Sequence, residues 1–440
     1  MMSDRKSAGN GLYIKNALVL MFDTVIKILV GFFLTVLIAR AFGPGKFGEV
    51  NYVYAVIEIL QILVMFGFDD IVLRDLGEKK IKDSVILSNS VFLRMFFAVI
   101  AFFIGLFLFI FFLGKKFLPL YFILAAQLLF YSFYIFKQWF AIYSLNKYTA
   151  VASQISFWVL SAAKIIILIF NIGELKLYAG ALAFSMFCEV FFLYLFYISR
   201  GQTISVKGID FSYQKKLLRD SLPIVFQNFA IVIYMKMDQL MIGKTLSSSE
   251  LGIYSIAVTI SQVIYFFLGA LIGAFYPKIA EKRRNNENYE DEISTLAAVT
   301  VMIAIIFALC CIFIIPYFVP LFFGADYVRA ADVIKIHSWA GIFVALTEAN
   351  KCWLVFNNLQ HYSMIATAIG AVCNVVLNII FIPRFGINGA AVATVISQII
   401  AGYVIYLFFK DKRSFAIRTN GLLKIFYPRT YLNIFKVIKK

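Results

Sequence analysis

The chain has 440 residues, of which 62% are hydrophobic and only 15% charged, and its mean hydropathy is +0.87. This composition excludes an ordinary water-soluble globular protein, because too much apolar surface would face water. The net charge of +17 does not indicate a nucleic-acid-binding protein, since the basic residues flank apolar segments instead of clustering on one polar domain.

Apolar segments long enough to cross a bilayer recur along the whole chain. A membrane-spanning helix needs roughly 20 predominantly apolar residues. Six such segments are predicted in the first half, at residues 17–39, 52–68, 85–113, 118–145, 151–172 and 177–199. Six more follow in the second half, at residues 222–242, 251–275, 293–323, 333–355, 362–382 and 389–409. The sequence therefore predicts an all-α polytopic membrane protein with about twelve transmembrane helices in the lipid bilayer.

Lysine and arginine residues are concentrated in every second connection between these segments. Residues 69–84, 200–221 and 276–292, together with the tail from Lys410, are rich in them, whereas the connections between are poor. Cytoplasmic loops of membrane proteins carry such an excess. The pattern predicts that both termini are cytoplasmic.

The sequence has no motif for a cofactor, a metal site or a nucleotide-binding site that could power transport. The five cysteines all lie in apolar segments without metal-site spacing, at Cys188, Cys310, Cys311, Cys352 and Cys373. His337 and His361 are isolated from other ligand types, and no phosphate-binding glycine loop occurs. The adjacent Asp69 and Asp70 are expected in a solvated loop. We therefore expect neither a cofactor nor a metal.

The second half of the sequence repeats features of the first. Trp139 aligns with Trp353, and tryptophan occurs only four times in the chain. Gly48 aligns with Gly252, and both glycines have a basic residue shortly upstream. Because each repeat has an even number of spans, the two repeats have the same orientation, and their pseudo-two-fold axis runs along the membrane normal.

This repeat predicts two six-helix lobes and a tail. The lobes comprise residues 1–205 and 206–409 and enclose a central cleft. A basic cytoplasmic tail follows at 410–440 and mixes basic with apolar side chains. We expect part of it to lie flat on the anionic inner leaflet, with a disordered basic tail as the alternative.

Charged residues at membrane depth are the candidates for function, because each costs roughly 2.5–3.5 kcal/mol at the centre of a span unless it faces water or a partner. They are Asp23, Lys27, Glu58, Arg94, Lys137, Lys164, Glu189, Lys236, Asp238, Lys335, Glu348 and Lys351. Basic residues outnumber acidic ones in this set. We therefore expect a cationic cleft that suits an anionic headgroup, such as that of a phosphorylated amphiphile.

Spacing shows which of these residues can pair along their own helix. Asp23 and Lys27 are spaced i, i+4, and Glu348 and Lys351 are spaced i, i+3, so each pair can neutralise itself. Such pairs can be purely structural.

Four basic residues are candidate headgroup contacts, namely Lys27, Lys164, Lys236 and Arg94. Lys27 and Lys164 lie too deep in their spans to reach the interface, and Lys236 cannot pair with Asp238 two positions later on its helix. An interhelical ion pair is the alternative for each lysine. Five acidic residues are candidate carriers of a coupling proton or sodium ion, or else members of structural ion pairs, namely Asp23, Glu58, Glu189, Asp238 and Glu348.

Several loop and helix-end motifs resemble those of the Wzx-type oligosaccharide flippases, which include the O-antigen flippases. Residues 36–52, VLIARAFGPGKFGEVNY, are similar to the first signature of that family. Residues 67–74, 238–243 leading into 251–254, and 382–391 match further motifs in the same order. The chain is thereby identified as a member of the polysaccharide biosynthesis protein family, within the MATE-like multidrug/oligosaccharidyl-lipid/polysaccharide exporter (MOP) superfamily.

The resemblance implies a transporter and not an enzyme. Members have two six-helix lobes and move a polyprenyl-diphosphate-linked oligosaccharide across the bacterial inner membrane by alternating access. In that picture the cleft lysines hold the diphosphate while the prenyl tail stays in lipid, and an ion gradient supplies the energy. A polysaccharide polymerase and glycosyltransferases are the partners that this implies.

Two other functions remain open from the sequence. A MATE-like antiporter of drugs or other cations would have an acidic cleft, against which the excess of deep lysines argues. A membrane glycosyltransferase or polymerase would need catalytic carboxylates on a large loop or domain, and the connections between the predicted segments are short.

Overall fold

The computed structural model of the chain describes residues 26–204 and 208–427, and residues 2–25 only as helical backbone. This part of the chain is helical throughout, which confirms the predicted all-α class. The helices are α1 Met2–Met65, α2 Phe68–Glu78, α3 Asp83–Leu108, α4 Leu118–Tyr131, α5 Phe136–Ile142, α6 Asn146–Ile169, α7 Leu175–Ile198, α8 Phe211–Thr245, α9 Ser248–Ser261, α10 Val263–Arg284, α11 Tyr289–Phe313, α12 Ile315–Phe323, α13 Ala330–His337, α14 Ala340–Phe356, α15 Gln360–Gly402 and α16 Arg413–Lys424.

Glycines interrupt two of the longest helices. Within the described residues, ten helical segments are long and apolar enough to cross a membrane. Two of the ten contain a residue with non-helical backbone, Gly43 in α1 at φ 72° and Gly386 in α15 at φ 61°. Glycine reaches this left-handed region without a steric penalty. Dividing the two segments at these glycines gives twelve spans, which agrees with the prediction.

The boundaries of two predicted spans were wrong for the same reason. The predicted spans leave connections at residues 40–51 and 383–388, each of which contains glycine and proline. The structure has helix on both sides of Gly43 and Gly386, with Pro44 in the first turn of the second half of α1. Proline is tolerated there because the N–H group that it lacks has no partner in a first turn.

Contacts between the connections divide the molecule into two faces. On one face, Trp139 Nε1 donates to Asp83 Oδ2 at 2.9 Å, and Lys424 Nζ donates to Asp291 Oδ1 at 2.6 Å. These residues flank the predicted lysine- and arginine-rich connections, so we name this side the basic face. It lies at the ends of α2, α5, α7, α10 and α14.

The other connections meet on the opposite face. Lys46 Nζ donates to the carbonyl oxygen of Gly173 at 2.9 Å, and Tyr327 Oη donates to that of Ala39 at 2.9 Å. The second contact joins the first half of α1 to the segment before α13. Consecutive spans therefore run between the two faces in alternating directions.

The two halves of the chain share their largest apolar core toward the opposite face. The largest cluster of buried apolar residues there draws on both halves, including Val53 of α1 and Leu251 of α9. A second cluster contains only residues from Ile264 to Ile417, and a third only residues from Phe68 to Leu217. Toward the basic face the apolar core therefore divides in two, and one part combines the first half of the chain with Tyr213 and Leu217 at the start of α8.

Reciprocal glycine contacts join the halves at the opposite face. A Cβ atom added at Gly48 would lie 1.7 Å from the carbonyl oxygen of Ser248, and one at Gly252 would lie 2.0 Å from that of Pro44. The backbones of α1 and α9 therefore touch through the two glycines that the predicted repeat aligns. An interface in which i contacts j′ and j contacts i′ is what a two-fold axis produces. The lobe boundaries at 205 and 409 stay a prediction.

The described part of the tail contains helix α16, which packs against the body. The predicted contact of part of the tail with the inner leaflet stays a prediction. Arg418 is fully buried, its Nε donates to the carbonyl oxygen of Gly402 at 3.1 Å, and its guanidinium lies 3.4 Å from the centre of the Tyr406 ring. Burial of Arg418 and Ile417 fixes this helix to α11, α14 and the end of α15. Residues 428–440 of the tail lie outside the described residues.

Candidate substrate cavities and their charges

Two cavities lie on either side of α8, in the region where the apolar core is divided in two. The first, which we name the α1–α8 cavity, has a volume of about 370 Å³ and is lined by α1, α2 and α8. The second, the α8–α15 cavity, has a volume of about 330 Å³ and is lined mainly by α8, α10, α14 and α15. Ile231 and Met235 of α8 line both. The two spaces are therefore neighbours across one helix.

Lys236 and Glu58 form an ion pair between the halves of the chain. Lys236 Nζ on α8 lies 2.8 Å from Glu58 Oε2 on α1, and both side chains are about a quarter exposed, at 24% and 28%. Both line the α1–α8 cavity. As the spacing predicted, Lys236 has its partner on another helix. Of the four predicted headgroup residues, Lys236 is the one found lining a described cavity.

Arg94 is fully buried and paired with an aspartate that the sequence analysis placed in solvent. Arg94 Nη2 lies 2.9 Å from Asp69 Oδ2, and Gln138 Nε2 donates to Asp69 Oδ1 at 3.0 Å. Asp69 and Asp70 lie in the first turn of α2 and line the α1–α8 cavity. The expected solvated loop was therefore wrong, because Gly67 permits an abrupt change of direction and α2 begins immediately after it.

Glu189 is paired with Lys137, which was among the charged candidates at membrane depth but was not one of the four predicted headgroup contacts. Lys137 Nζ lies 2.8 Å from Glu189 Oε1 and also donates to Tyr134 Oη. Tyr134 Oη in turn donates to Glu189 at 3.3 Å, and its ring centre is 3.4 Å from the ammonium nitrogen. This arrangement satisfies both charges within the first half of the chain. It fits the structural alternative given for Glu189.

Lys164 is buried away from both cavities. Its side chain is only 6% exposed, and Nζ donates to Thr35 Oγ1 at 2.9 Å. Lys27 is half-buried on the first half of α1 and engaged in a contact. Asp23, its predicted partner, lies outside the residues whose side chains the structure describes. The predicted headgroup role of Lys27 and Lys164 stays a prediction.

Asp238 is the candidate ion carrier that has no cationic partner among the described residues. It is 4% exposed, accepts a hydrogen bond from Tyr254 Oη at Oδ2, and accepts one from the backbone N–H of Gln239 at 2.7 Å. Glu348, by contrast, lies 3.6 Å from Lys351, which is the local pair that their spacing predicted. Both Asp238 and Glu348 line the α8–α15 cavity.

Neutral polar side chains that the sequence analysis missed lie close to Asp238. Thr394 lines the cavity with it, and Asn374 Nδ2 lies 3.4 Å from Thr394 Oγ1 and 3.3 Å from Ser397 Oγ. Asn378 Nδ2 donates to Asn374 Oδ1 at 2.9 Å, and its own Oδ1 is buried without a hydrogen bond to a described residue. Asparagines spaced i, i+4 on one apolar span are the signal that would have found this cluster.

The cavities are not cationic, contrary to the expectation from the sequence. Among the described residues, their charged lining consists of Glu58, Asp69, Asp70, Lys236, Asp238, Glu348 and Lys351. Arg94, Lys137 and Lys164 contribute to the basic excess in the sequence but are enclosed between helices. The residues that the structure describes contain no group of three or more His, Cys, Asp or Glu side chains that could bind a metal ion.

Comparison with protein-family models gives two matches. The model described as "Polysaccharide biosynthesis protein" matches residues 13–283, which is more than half of the chain. The model described as MatE matches residues 223–380.

Two curated proteins from archaea are similar over part of their length. The probable low-salt glycan biosynthesis flippase Agl15 of Haloferax volcanii is 26% identical over 223 residues, which cover 50% of this chain and 47% of that protein. The uncharacterized membrane protein MJ1375 of Methanocaldococcus jannaschii is 23% identical over 195 residues, covering 44% and 46%. The chain therefore spans about half the length of these relatives.

Solved structures of two transporter types have the same fold. A structure of the lipid II flippase MurJ in an inward closed conformation superposes with a TM-score of 0.72 at 16% identity, over 93% of this chain and 92% of that one. An inward-facing multidrug resistance MATE family transporter of the MOP superfamily gives 0.66 at 15% identity, over 89% and 96%. At these identities the likeness shows the fold alone, and that fold is the one shared by MOP transporters.

Proposed function

Since the chain belongs to the polysaccharide biosynthesis protein family, we propose that it is a flippase for a polyprenyl-diphosphate-linked oligosaccharide. It moves this lipid from the cytoplasmic to the outer leaflet of the cytoplasmic membrane by alternating access. The observation that carries the proposal is the pair of adjoining cavities beside α8, where the apolar core toward the basic face is divided in two. The glycan flippase among the relatives supports the same substrate class.

The diphosphate is held at the α1–α8 cavity, and Lys236 is its main contact. A lysine ammonium binds phosphate strongly as a point charge where water screens it weakly. Because Lys236 Nζ is already paired with Glu58 Oε2 at 2.8 Å, the diphosphate has to displace this carboxylate. Lys27 on the first half of α1 is a second contact in this proposal. Arg94 is enclosed in its ion pair with Asp69 and has a structural role here, whereas Lys164 stays a predicted headgroup contact.

Asp238 is the residue that couples transport to an ion gradient. The other described candidates, Glu58, Glu189 and Glu348, each have a lysine within 3.6 Å. Asp238 instead accepts hydrogen bonds from the Tyr254 hydroxyl and the Gln239 backbone N–H, and a buried carboxylate without a cationic partner can take up either a proton or a sodium ion. Both ions remain in the proposal, and their gradients can be imposed separately.

The basic face is cytoplasmic in this proposal, and both termini lie on that side. The positive-inside pattern of the connections supports this orientation. Export toward the opposite face then requires the α1–α9 contact at Gly48 and Gly252 to separate. Partnership with a polymerase and with glycosyltransferases, and the choice of an O-antigen repeat as cargo, stay predictions.

The test is a reconstitution. Purified protein in liposomes is given a fluorescent polyprenyl-diphosphate oligosaccharide, and its transfer between leaflets is measured with and without an imposed proton or sodium gradient. We expect protein-dependent transfer that a gradient accelerates. Absence of transfer under every gradient contradicts the proposal.

Export of organic cations is the second candidate function, and one observation favours it. The charged lining of the two cavities is mainly acidic among the described residues, and acidic clefts attract cations. The MatE model also matches residues 223–380. Gradient-driven uptake of ethidium by the same proteoliposomes, without lipid transfer, would establish this alternative.

A further inference from the structure

The α8–α15 cavity presents side-chain amides that have no hydrogen-bond partner among the described residues. The side chains of Gln227, Gln262 and Gln398 line it and are partly accessible. Among the described residues, no group hydrogen-bonds these three side-chain amides. Each amide offers two N–H donors and one carbonyl acceptor. Polar groups at membrane depth are costly when they are left unpaired, so three such amides in one cavity indicate a ligand with matching hydroxyl or amide groups.

Aromatic and hydroxyl side chains complete the lining. The ring of Tyr265 is partly accessible beside Gln262. Thr347 Oγ1 donates to the carbonyl oxygen of Phe343 at 2.9 Å, which leaves its oxygen free to accept from a ligand. Tyr234 donates to Ser397 Oγ at 3.1 Å and presents its ring. The volume of about 330 Å³ is within the roughly 300–1,000 Å³ of small-molecule sites.

The charges of this cavity do not suit a phosphate group. Its lining contains two carboxylates, Asp238 and Glu348, and one lysine, Lys351. Lys351 lies 3.6 Å from Glu348 and is more than half exposed. Asp238 accepts hydrogen bonds from Tyr254 and Gln239 and repels other anions. A ligand rich in hydroxyl groups and without negative charge fits these surroundings.

We infer that the α8–α15 cavity binds uncharged sugar residues of the lipid-linked glycan. Sugar hydroxyl groups both donate and accept hydrogen bonds, as free glutamine amides do, and the apolar face of a sugar ring can pack on a tyrosine ring. Because Ile231 and Met235 line both cavities, a diphosphate at Lys236 would place the first sugars at the entrance of this second cavity. The inference rests on the proposed flippase function and adds a site for the glycan to it.

The experiment compares two lipids on the full chain in nanodiscs. One probe is undecaprenyl diphosphate, and the other is the same lipid carrying a neutral tetrasaccharide of glucose and N-acetylglucosamine. Dissociation constants are measured for the wild type and for the double variant Gln262→Met/Gln398→Met, which keeps side-chain length and removes both amides. Gln360→Met, at an exposed position at the start of α15 outside the cavity, is the matched control.

We expect the wild type and the control to bind the tetrasaccharide lipid more tightly than the bare lipid. The double variant should lose about tenfold in affinity for the tetrasaccharide lipid, because each lost hydrogen bond costs about threefold or more, and should bind the bare lipid unchanged. An unchanged preference for the glycan in the double variant overturns the sugar site while leaving the flippase proposal intact. Failure of the wild type to bind either lipid overturns both.

Discussion

Lys236 of α8 and Glu58 of α1 form a 2.8 Å ion pair that joins the two halves of the chain at the wall of the α1–α8 cavity. Each side chain stays about a quarter exposed. A pair of this kind can exchange its partner for a ligand anion, whereas the fully buried Arg94 cannot do so without breaking its packing.

The first prediction concerns this pair. Lys236→Ala should lower transport of the lipid-linked oligosaccharide by about tenfold or more, since a hydrogen bond to a charged group contributes roughly 1.5–3 kcal/mol. Lys335→Ala, which removes a lysine outside both cavities, should transport normally. Transfer rates in proteoliposomes with matched protein content provide the measurement. If Lys27→Ala, Lys164→Ala and Lys236→Ala all transport like the wild type, the headgroup assignment is wrong.

The partner substitution Glu58→Gln tests whether the carboxylate competes with the substrate. Glutamine keeps the size of the side chain and removes its charge, so Lys236 becomes available to the diphosphate. We expect affinity for bare undecaprenyl diphosphate to rise by about threefold to tenfold, the range of one modest electrostatic interaction. Equal or weaker binding by Glu58→Gln would show that the pair is structural.

The sequence predicted the number of spans and the faces of the molecule but few of the long-range contacts. Span length and the alternation of basic connections are local properties of the sequence, so they can be predicted without knowing how the helices pack. The Glu348–Lys351 pair was predictable because both residues lie on one helix turn. The Lys236–Glu58 and Arg94–Asp69 pairs were not, since spacing along a helix contains no information about which neighbouring helix a side chain meets.

The charge of the cavities and the asparagine cluster of α15 were also not predicted correctly, for physical reasons. Counting charges in the sequence indicated a cationic cleft, but burial removes Arg94, Lys137 and Lys164 from the cavity walls. The cluster of Asn374 and Asn378 was not predicted, because only charged residues at membrane depth were taken as candidates and these two amides are neutral. Their complete burial in α15 becomes visible only when the helices are assembled.

The second prediction separates coupling from transport. Asp238→Asn should abolish the acceleration of transport by an imposed proton or sodium gradient, because the carboxylate that would release and rebind the ion is gone. Slow transfer without a gradient should persist. Glu348→Gln, which removes the other acidic group of the α8–α15 cavity, should leave the gradient response intact. Full gradient response in Asp238→Asn would exclude this residue as the ion carrier.

The third prediction concerns the buried pair of α2 and α3. Asp69→Asn should destabilise the protein by about 3 kcal/mol, near the lower end of the roughly 3–5 kcal/mol for breaking a buried pair, because Arg94 is fully buried while Asp69 is 22% exposed. Asp70→Asn is the control, since the adjacent Asp70 has no ion pair with a described residue. Thermal unfolding in detergent compares the two variants. Equal stabilities would mean that the pair contributes little.

The fourth prediction uses the reciprocal contact of α1 and α9. Gly48→Ala would place a Cβ atom 1.7 Å from the carbonyl oxygen of Ser248, so the two helix backbones have to move apart. Overpacking of this kind lowers the free energy of unfolding by roughly 1–3 kcal/mol or more. Here the overpacked atoms belong to the contact that closes the opposite face.

We expect Gly48→Ala to lower the unfolding temperature and to make the opposite face accessible to water-soluble thiol reagents at a cysteine placed at Ser248. Gly45→Ala is the matched control on the same helix, because nothing lies within 4 Å of its added Cβ atom, and alanine is a better helix former than glycine. Gly252→Ala should behave like Gly48→Ala, since its Cβ atom would lie 2.0 Å from the carbonyl oxygen of Pro44. If Gly48→Ala is as stable and as closed as Gly45→Ala, closure of the opposite face does not depend on direct backbone contact between α1 and α9.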